Sequence, residues 1–119
     1  NSNAGTNRKA FLLSDQHFGI RATSTPVLWN WRSGANAKGT VITKTTKTGY
    51  VIEAVIPMEQ FIAAPFVAGN NYQIEIAIDA GTTKGRDEQY RWNNPYNEGF
   101  HTSPQLWGQM RIINETATK

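Results

Sequence analysis

Residues 50–56, Tyr-Val-Ile-Glu-Ala-Val-Ile, alternate with a period of two, putting Tyr50, Ile52, Ala54 and Ile56 on one face and Val51, Glu53 and Val55 on the other. Both faces are largely apolar, so the segment predicts a central β-strand buried on both sides. Glu53 then has to find donors or a cation, because an unpaired buried carboxylate is costly and tends to take up a proton. Pro57 stops the alternation, and Met58-Glu59-Gln60-Phe61 predicts a single turn of helix. Upstream, residues 39–46 predict the first strand of a hairpin, with Lys47, Thr48 and Gly49 as the turn and Gly49 free to take positive φ.

The same pattern recurs along the chain. Gly, Asn, Thr and Ser punctuate short β-branched or aromatic runs, predicting strands over 8–13, 15–21, 27–32, 39–46, 50–56, 72–79, 87–92 and 106–113. The fold class this implies is all-β: an antiparallel, jelly-roll-like β-sandwich without a long helix. In 72–79, Tyr72, Ile74, Ile76 and Ile78 share one face, while Gln73, Glu75, Ala77 and Asp79 form a polar face suited to solvent or a ligand.

A chain of 119 residues has material for one core, so residues 1–119 are expected to form a single domain. The formal charge of +3 is spread thinly along the chain, which argues against a nucleic-acid partner, and no apolar run is long enough to span a membrane as a helix. There is no cysteine, hence no disulfide framework or thiol chemistry. The start at Asn1 is that of a processed or excised piece, and a part of a larger secreted protein is expected.

Catalytic signatures are weak. His17 and His101 lack a metal-binding spacing and a third ligand. Glu75 and Asp79, four residues apart on one strand face, are about 13 Å apart at roughly 3.3 Å per residue, too far for the paired carboxylates of a glycosidase. Cross-strand pairs with Glu53, Asp87, Glu88 or Glu98 stay open.

The aromatic residues say more. Tyr90, Trp92, Tyr96 and Phe100 lie among Asn, Arg and Glu in 90–100. A sugar ring has an apolar C–H face and a belt of hydroxyls, and its matching site is a flat aromatic ring rimmed by amides, carboxylates and guanidinium. For Trp92 and Trp107 the competing reading is core packing. Phe100, between Gly99 and His101, is harder to place in a core.

The order "TKTGYVIEAVIPMEQF", "GNNYQIEIAIDAGTTKGR", "YRWNNPYNEGFHTSPQLWGQMRII" resembles the C-terminal two thirds of family 9 carbohydrate-binding modules, and "NSNAGTNRKAFLLSDQHFGI" is similar to an earlier acidic, Asn-rich turn and strand of that family. The resemblance implies a non-enzymatic β-sandwich that binds cellulose, xylan or a related plant cell-wall polysaccharide, or its chain ends, as an appendage of a secreted enzyme. It places a stacking platform at Phe100, where the family has Trp, hydroxyl ligands at Arg86 and Asn97, and a face-lining donor at His17; Trp92 is a further candidate. It makes Glu53 a buried, satisfied carboxylate. No cofactor is required, and structural Ca²⁺ is admitted by loop Asp and Asn oxygens without a ligand set being placed.

The chain departs from the family at His17, Gly19, Ala77 and Asp79-Ala80, where other polar residues are expected. Nothing matches the family's opening segment with its first aromatic clamp. The chain is then either a fragment or a shortened variant, and an unpaired sheet edge would invite a homodimer. The insertion at 26–39 carries Trp29 and Trp31 on one strand face, as a new planar platform or as cover for a sheet edge. Three other readings stay open: a structural or assembly module that lost sugar binding, a haem-binding or sugar-binding relative with His17, Met58, His101 or Met110 as axial ligand, and an enzyme.

Overall fold

The computed structural model describes residues 12, 14–61, 65–82, 84–94 and 103–114. Its strands are β1 (Phe18–Arg21), β2 (Val27–Asn30), β3 (Ala35–Asn36), β4 (Thr40–Thr45), β5 (Tyr50–Val55), β6 (Asn71–Ile74), β7 (Ala77–Thr82), β8 (Gly85–Arg91) and β9 (Gly108–Arg111). Two 3-10 turns, Met58–Phe61 and Pro104–Leu106, complete the elements. Every strand pairing among the described residues is antiparallel and no described helix is long, so the all-β class is as expected. Two compact units emerge: residues 13–65, and residues 1–12 with 66–119.

In the 13–65 unit, β1, β2 and β3 form one sheet and β4 with β5 a two-stranded ribbon. Leu28 on β2 is buried, and Phe18 meets Phe61 of the 3-10 turn edge-on at 5.4 Å. After β2 the chain turns on Asn30, whose Oδ1 accepts from the N–H of Arg32 at 2.8 Å and of Ser33 at 3.3 Å. This side-chain turn delivers β3, a strand the alternation does not reveal because it is two residues long.

The expectation for β5 is corrected. It pairs only with β4 among the described residues, and all six of its residues are exposed, Val55 at 68%. Register places Glu53 opposite Ile42 at 58% exposure, so solvent hydrates the carboxylate and no buried donor is needed. At the hairpin tip the Thr46 N–H donates to the Gly49 carbonyl at 2.8 Å, and Gly49 makes no use of its freedom to take positive φ. Closure across Thr46 and Gly49 leaves the tight bend to Lys47 and Thr48.

In the other unit, the expected single strand 72–79 is split. Its first half, β6, pairs with β9, while its second half, β7, pairs with β8. The alternation of Ile74, Ile76 and Ile78 runs through the break unaltered, which is why periodicity alone joins the halves. Tyr72 anchors β6 at 1% exposure; its hydroxyl oxygen accepts from the Val67 N–H at 2.7 Å, and its ring packs edge-on to Phe66 at 5.1 Å. Ile76 and Ile78 are exposed rather than core. Of the expected strand 8–13, only Leu12 is described, and it lies outside any strand.

Candidate functional site: two faces of the β7–β8 hairpin

β7 and β8 pair Ala77 with Arg91, Ile78 with Tyr90, Asp79 with Gln89 and Ala80 with Glu88. The Trp92 N–H donates to the Ile76 carbonyl at 2.9 Å, extending the ladder by one step. Alternation therefore assembles Ile76, Ile78, Tyr90, Glu88 and Trp92 on one face. Tyr90 and Trp92 are 60% and 59% exposed, which makes this an open aromatic surface. The Tyr90 hydroxyl donates to Glu88 Oε2. That bond, the Glu88 charge and slight desolvation together raise the phenol above its ordinary value.

Trp92 is held by a glycine. A Cβ on Gly108 of β9 would stand 2.3 Å from Trp92 Cζ3, so the indole lies directly on the backbone there. One side of the ring is packed and much of the rest is open to solvent. Core packing is thereby excluded for Trp92, while Trp107 is partly buried.

The opposite face is polar. Asp79 Oδ1 accepts from Gln89 Nε2 at 2.7 Å and meets Arg86 Nη1 at 3.5 Å, while Arg91 Nη1 donates to Gln89 Oε1 at 3.4 Å. Arg86 reaches this face through a register shift between Ala80 and Gly81, which pairs Arg86 with Gly81 and leaves Asp87 as the extra residue. Counting by two along the sequence would put Arg86 beside Tyr90 and Trp92.

One contributor was not singled out as a site residue by its sequence position. Glu75, at the bend between β6 and β7, accepts from Asn93 N at 2.9 Å and Ile76 N at 3.2 Å through Oε1, and from Asn94 N at 2.7 Å through Oε2. Asn93 Nδ2 in turn donates to the Leu106 carbonyl at 2.9 Å. The carboxylate thus fixes the chain immediately after Trp92. The sequence does not mark it out, since Glu75 continues the polar phase of Gln73 and Asp79 and reads as a solvent-facing residue.

Of the residues expected to form the site, Arg86 and Trp92 lie on opposite faces of one hairpin. His17 belongs to the 13–65 unit, where its ring neighbours Trp31 at 5.9 Å. Phe100 and Asn97 lie outside the described residues. Among the described residues no three His, Asp or Glu side chains converge to hold a metal ion. No described helix is long and apolar enough to cross a membrane.

An all-β domain that offers an open aromatic strand face and a hydrogen-bonded polar one has the makings of a binding module. The family model described as carbohydrate family 9 binding domain-like matches residues 4–115, and the chain belongs to that family. No curated protein and no solved structure compared with the chain matches it.

Proposed function

We propose that this chain is a non-catalytic carbohydrate-binding module of a secreted protein, holding a plant cell-wall type polysaccharide such as cellulose, xylan or a related β-glucan, along the chain or at its end. The observation that carries the reading is Trp92, an indole laid on Gly108 and open on its other side. Tyr90 lies two strand residues away on the same face, about 6.6 Å at roughly 3.3 Å per residue. Family membership supports a saccharide ligand in general. A sugar ring stacks its C–H face on such a surface, and carboxylate, amide and guanidinium groups bond its hydroxyls. Glu88 stands on the aromatic face, within reach of a ring stacked there, while Arg86, Asp79 and Gln89 form a separate polar face. Phe100 and Asn97 belong to the proposal on the resemblance, as do His17 as a face-lining donor and structural Ca²⁺.

The test is calorimetric titration of the folded domain with soluble oligosaccharides of cellulose, xylan, β-glucan and mannan, with and without chelator. Saturable binding that weakens about tenfold in Phe100→Ala or Trp92→Ala, equivalent to about 1.4 kcal/mol, supports the reading. Retention on polysaccharide without product release supports the non-catalytic role.

A second reading, an assembly module, is favoured by the β4–β5 ribbon. Ile42 and Val55 project from one exposed face of a ribbon that pairs with no further strand among the described residues, a surface suited to a homodimer. Sedimentation showing a dimer that Ile42→Lys dissociates, together with no heat for any sugar, would favour it.

A further inference from the structure

We propose that Trp31 forms a second stacking site for a sugar ring, on the β1–β2 sheet face that Gly19 leaves open. The inference rests on the carbohydrate reading above and places a ligand contact in the 13–65 unit, on residues of the insertion rather than on the β7–β8 hairpin.

Register pairs Gly19 with Trp29, and one step further the Trp31 N–H donates to the His17 carbonyl at 2.9 Å. His17, Gly19, Trp29 and Trp31 therefore occupy one face of the sheet. Trp31 leans across the missing side chain: a Cβ on Gly19 would stand 2.8 Å from Trp31 Nε1. Any larger residue at position 19 would lift the indole off the backbone. The indole instead meets the strand at its Nε1 edge and remains 62% exposed.

Its neighbours complete a recognisable setting. The His17 imidazole lies 5.9 Å away and inclined by 34°, while Trp29 meets Trp31 edge-on at 6.2 Å and 72°. The two indoles are thus not a shared plane; Trp29 buttresses one platform, which is Trp31 alone. Trp29 Nε1 is a buried donor with no hydrogen-bond partner. An open indole beside an imidazole suits a neutral ring that has a C–H face and hydroxyls at its edge. A pyranose within a β-linked glucan or xylan chain has that chemistry. Two aromatic sites on one domain would also raise retention on a polysaccharide through multivalency, without tightening either contact.

The experiment is tryptophan footprinting of the whole chain with N-bromosuccinimide, free and with saturating cellohexaose or xylohexaose, each indole located by mass spectrometry. Oxidation of Trp31 should slow about tenfold with bound sugar. Trp31→Ala and Gly19→Ala, the latter retaining the indole but displacing it, should each lower calorimetric affinity or stoichiometry at this site, with stacking loss of about tenfold. The footprint on the unmodified chain decides the matter even where a variant fails to fold. Unchanged Trp31 oxidation under saturating sugar overturns the second site, whether or not Trp92 is protected. Absence of heat with every oligosaccharide overturns the carbohydrate reading itself.

Discussion

Replacing Glu75 should loosen the segment after Trp92 far more than an ordinary exposed substitution would. Its carboxylate takes three backbone N–H groups, from Ile76, Asn93 and Asn94. In Glu75→Ala the Ile76 and Asn93 amides face solvent and regain water, so their loss costs little. The Asn94 N–H is different: its bond is the shortest of the three, at 2.7 Å, and Asn94 is 3% exposed. Leaving that donor unmet costs about 1–3 kcal/mol, and about 2 kcal/mol is the expected net effect. Glu75→Gln keeps one acceptor but sets an amide N–H₂ against a backbone donor, for a loss of about 1 kcal/mol. Because the bonds tie a local segment, amide hydrogen exchange is the appropriate assay. A loss of about 2 kcal/mol accelerates exchange at Asn94 about 30-fold in Glu75→Ala, with smaller changes at Tyr72 in the buried part of β6. If exchange at Asn93 and Asn94 changes less than about twofold in both variants, Glu75 does not organise this segment.

Gly108→Ala should push the Trp92 indole away from β9, because the added methyl would overlap the ring at 2.3 Å. A red shift of Trp92 emission and a destabilisation of about 1–3 kcal/mol in urea unfolding are expected; unchanged emission would show that the ring does not rest there. Tyr90 should ionise above the ordinary 10.0 of a tyrosine, chiefly because its hydroxyl bonds the Glu88 carboxylate. A raised folded-state value means that its stabilisation is present below pH 10 and is lost as the pH rises through the folded-state value. Site-resolved NMR titration should return Tyr90 toward 10.0 in Glu88→Gln, and no change between the two proteins would remove Glu88 as the cause.

The sequence makes the class of fold plain because alternation and turn residues are local properties, and the strands near Thr40–Thr45, Tyr50–Val55 and Gly85–Arg91 follow them closely. What alternation cannot convey is which strand lies alongside which. Tyr50 to Val55 read as a buried centre because apolar residues occupy both faces, yet burial depends on neighbours that the segment does not specify, and the ribbon has only β4 beside it among the described residues. The bend at Glu75 escaped for the opposite reason. Ile74 and Ile76 keep their phase across it, and only the bonds from Asn93 and Asn94 identify the carboxylate as a fastening. Within the candidate site, Trp92 was legible as an aromatic among polar residues; its support by Gly108 was not, since 16 residues of sequence separate two groups that touch in space.

The register shift between Ala80 and Gly81 makes β8 a strand whose base and tip are out of phase. Even-numbered positions from Glu88 onward belong to the aromatic face, but Arg86 belongs to the polar one. A substitution scan along β8 should therefore show sensitivity repeating every second residue, with the repeat slipping by one at Asp87. Deleting Asp87 would make the pairing continuous while leaving Arg86 opposite Gly81, whereas inserting one residue there would carry Arg86 to the aromatic side. Spacing in this short hairpin acts as a selector of chemistry: a single residue's length decides whether a guanidinium faces a carboxylate or an indole.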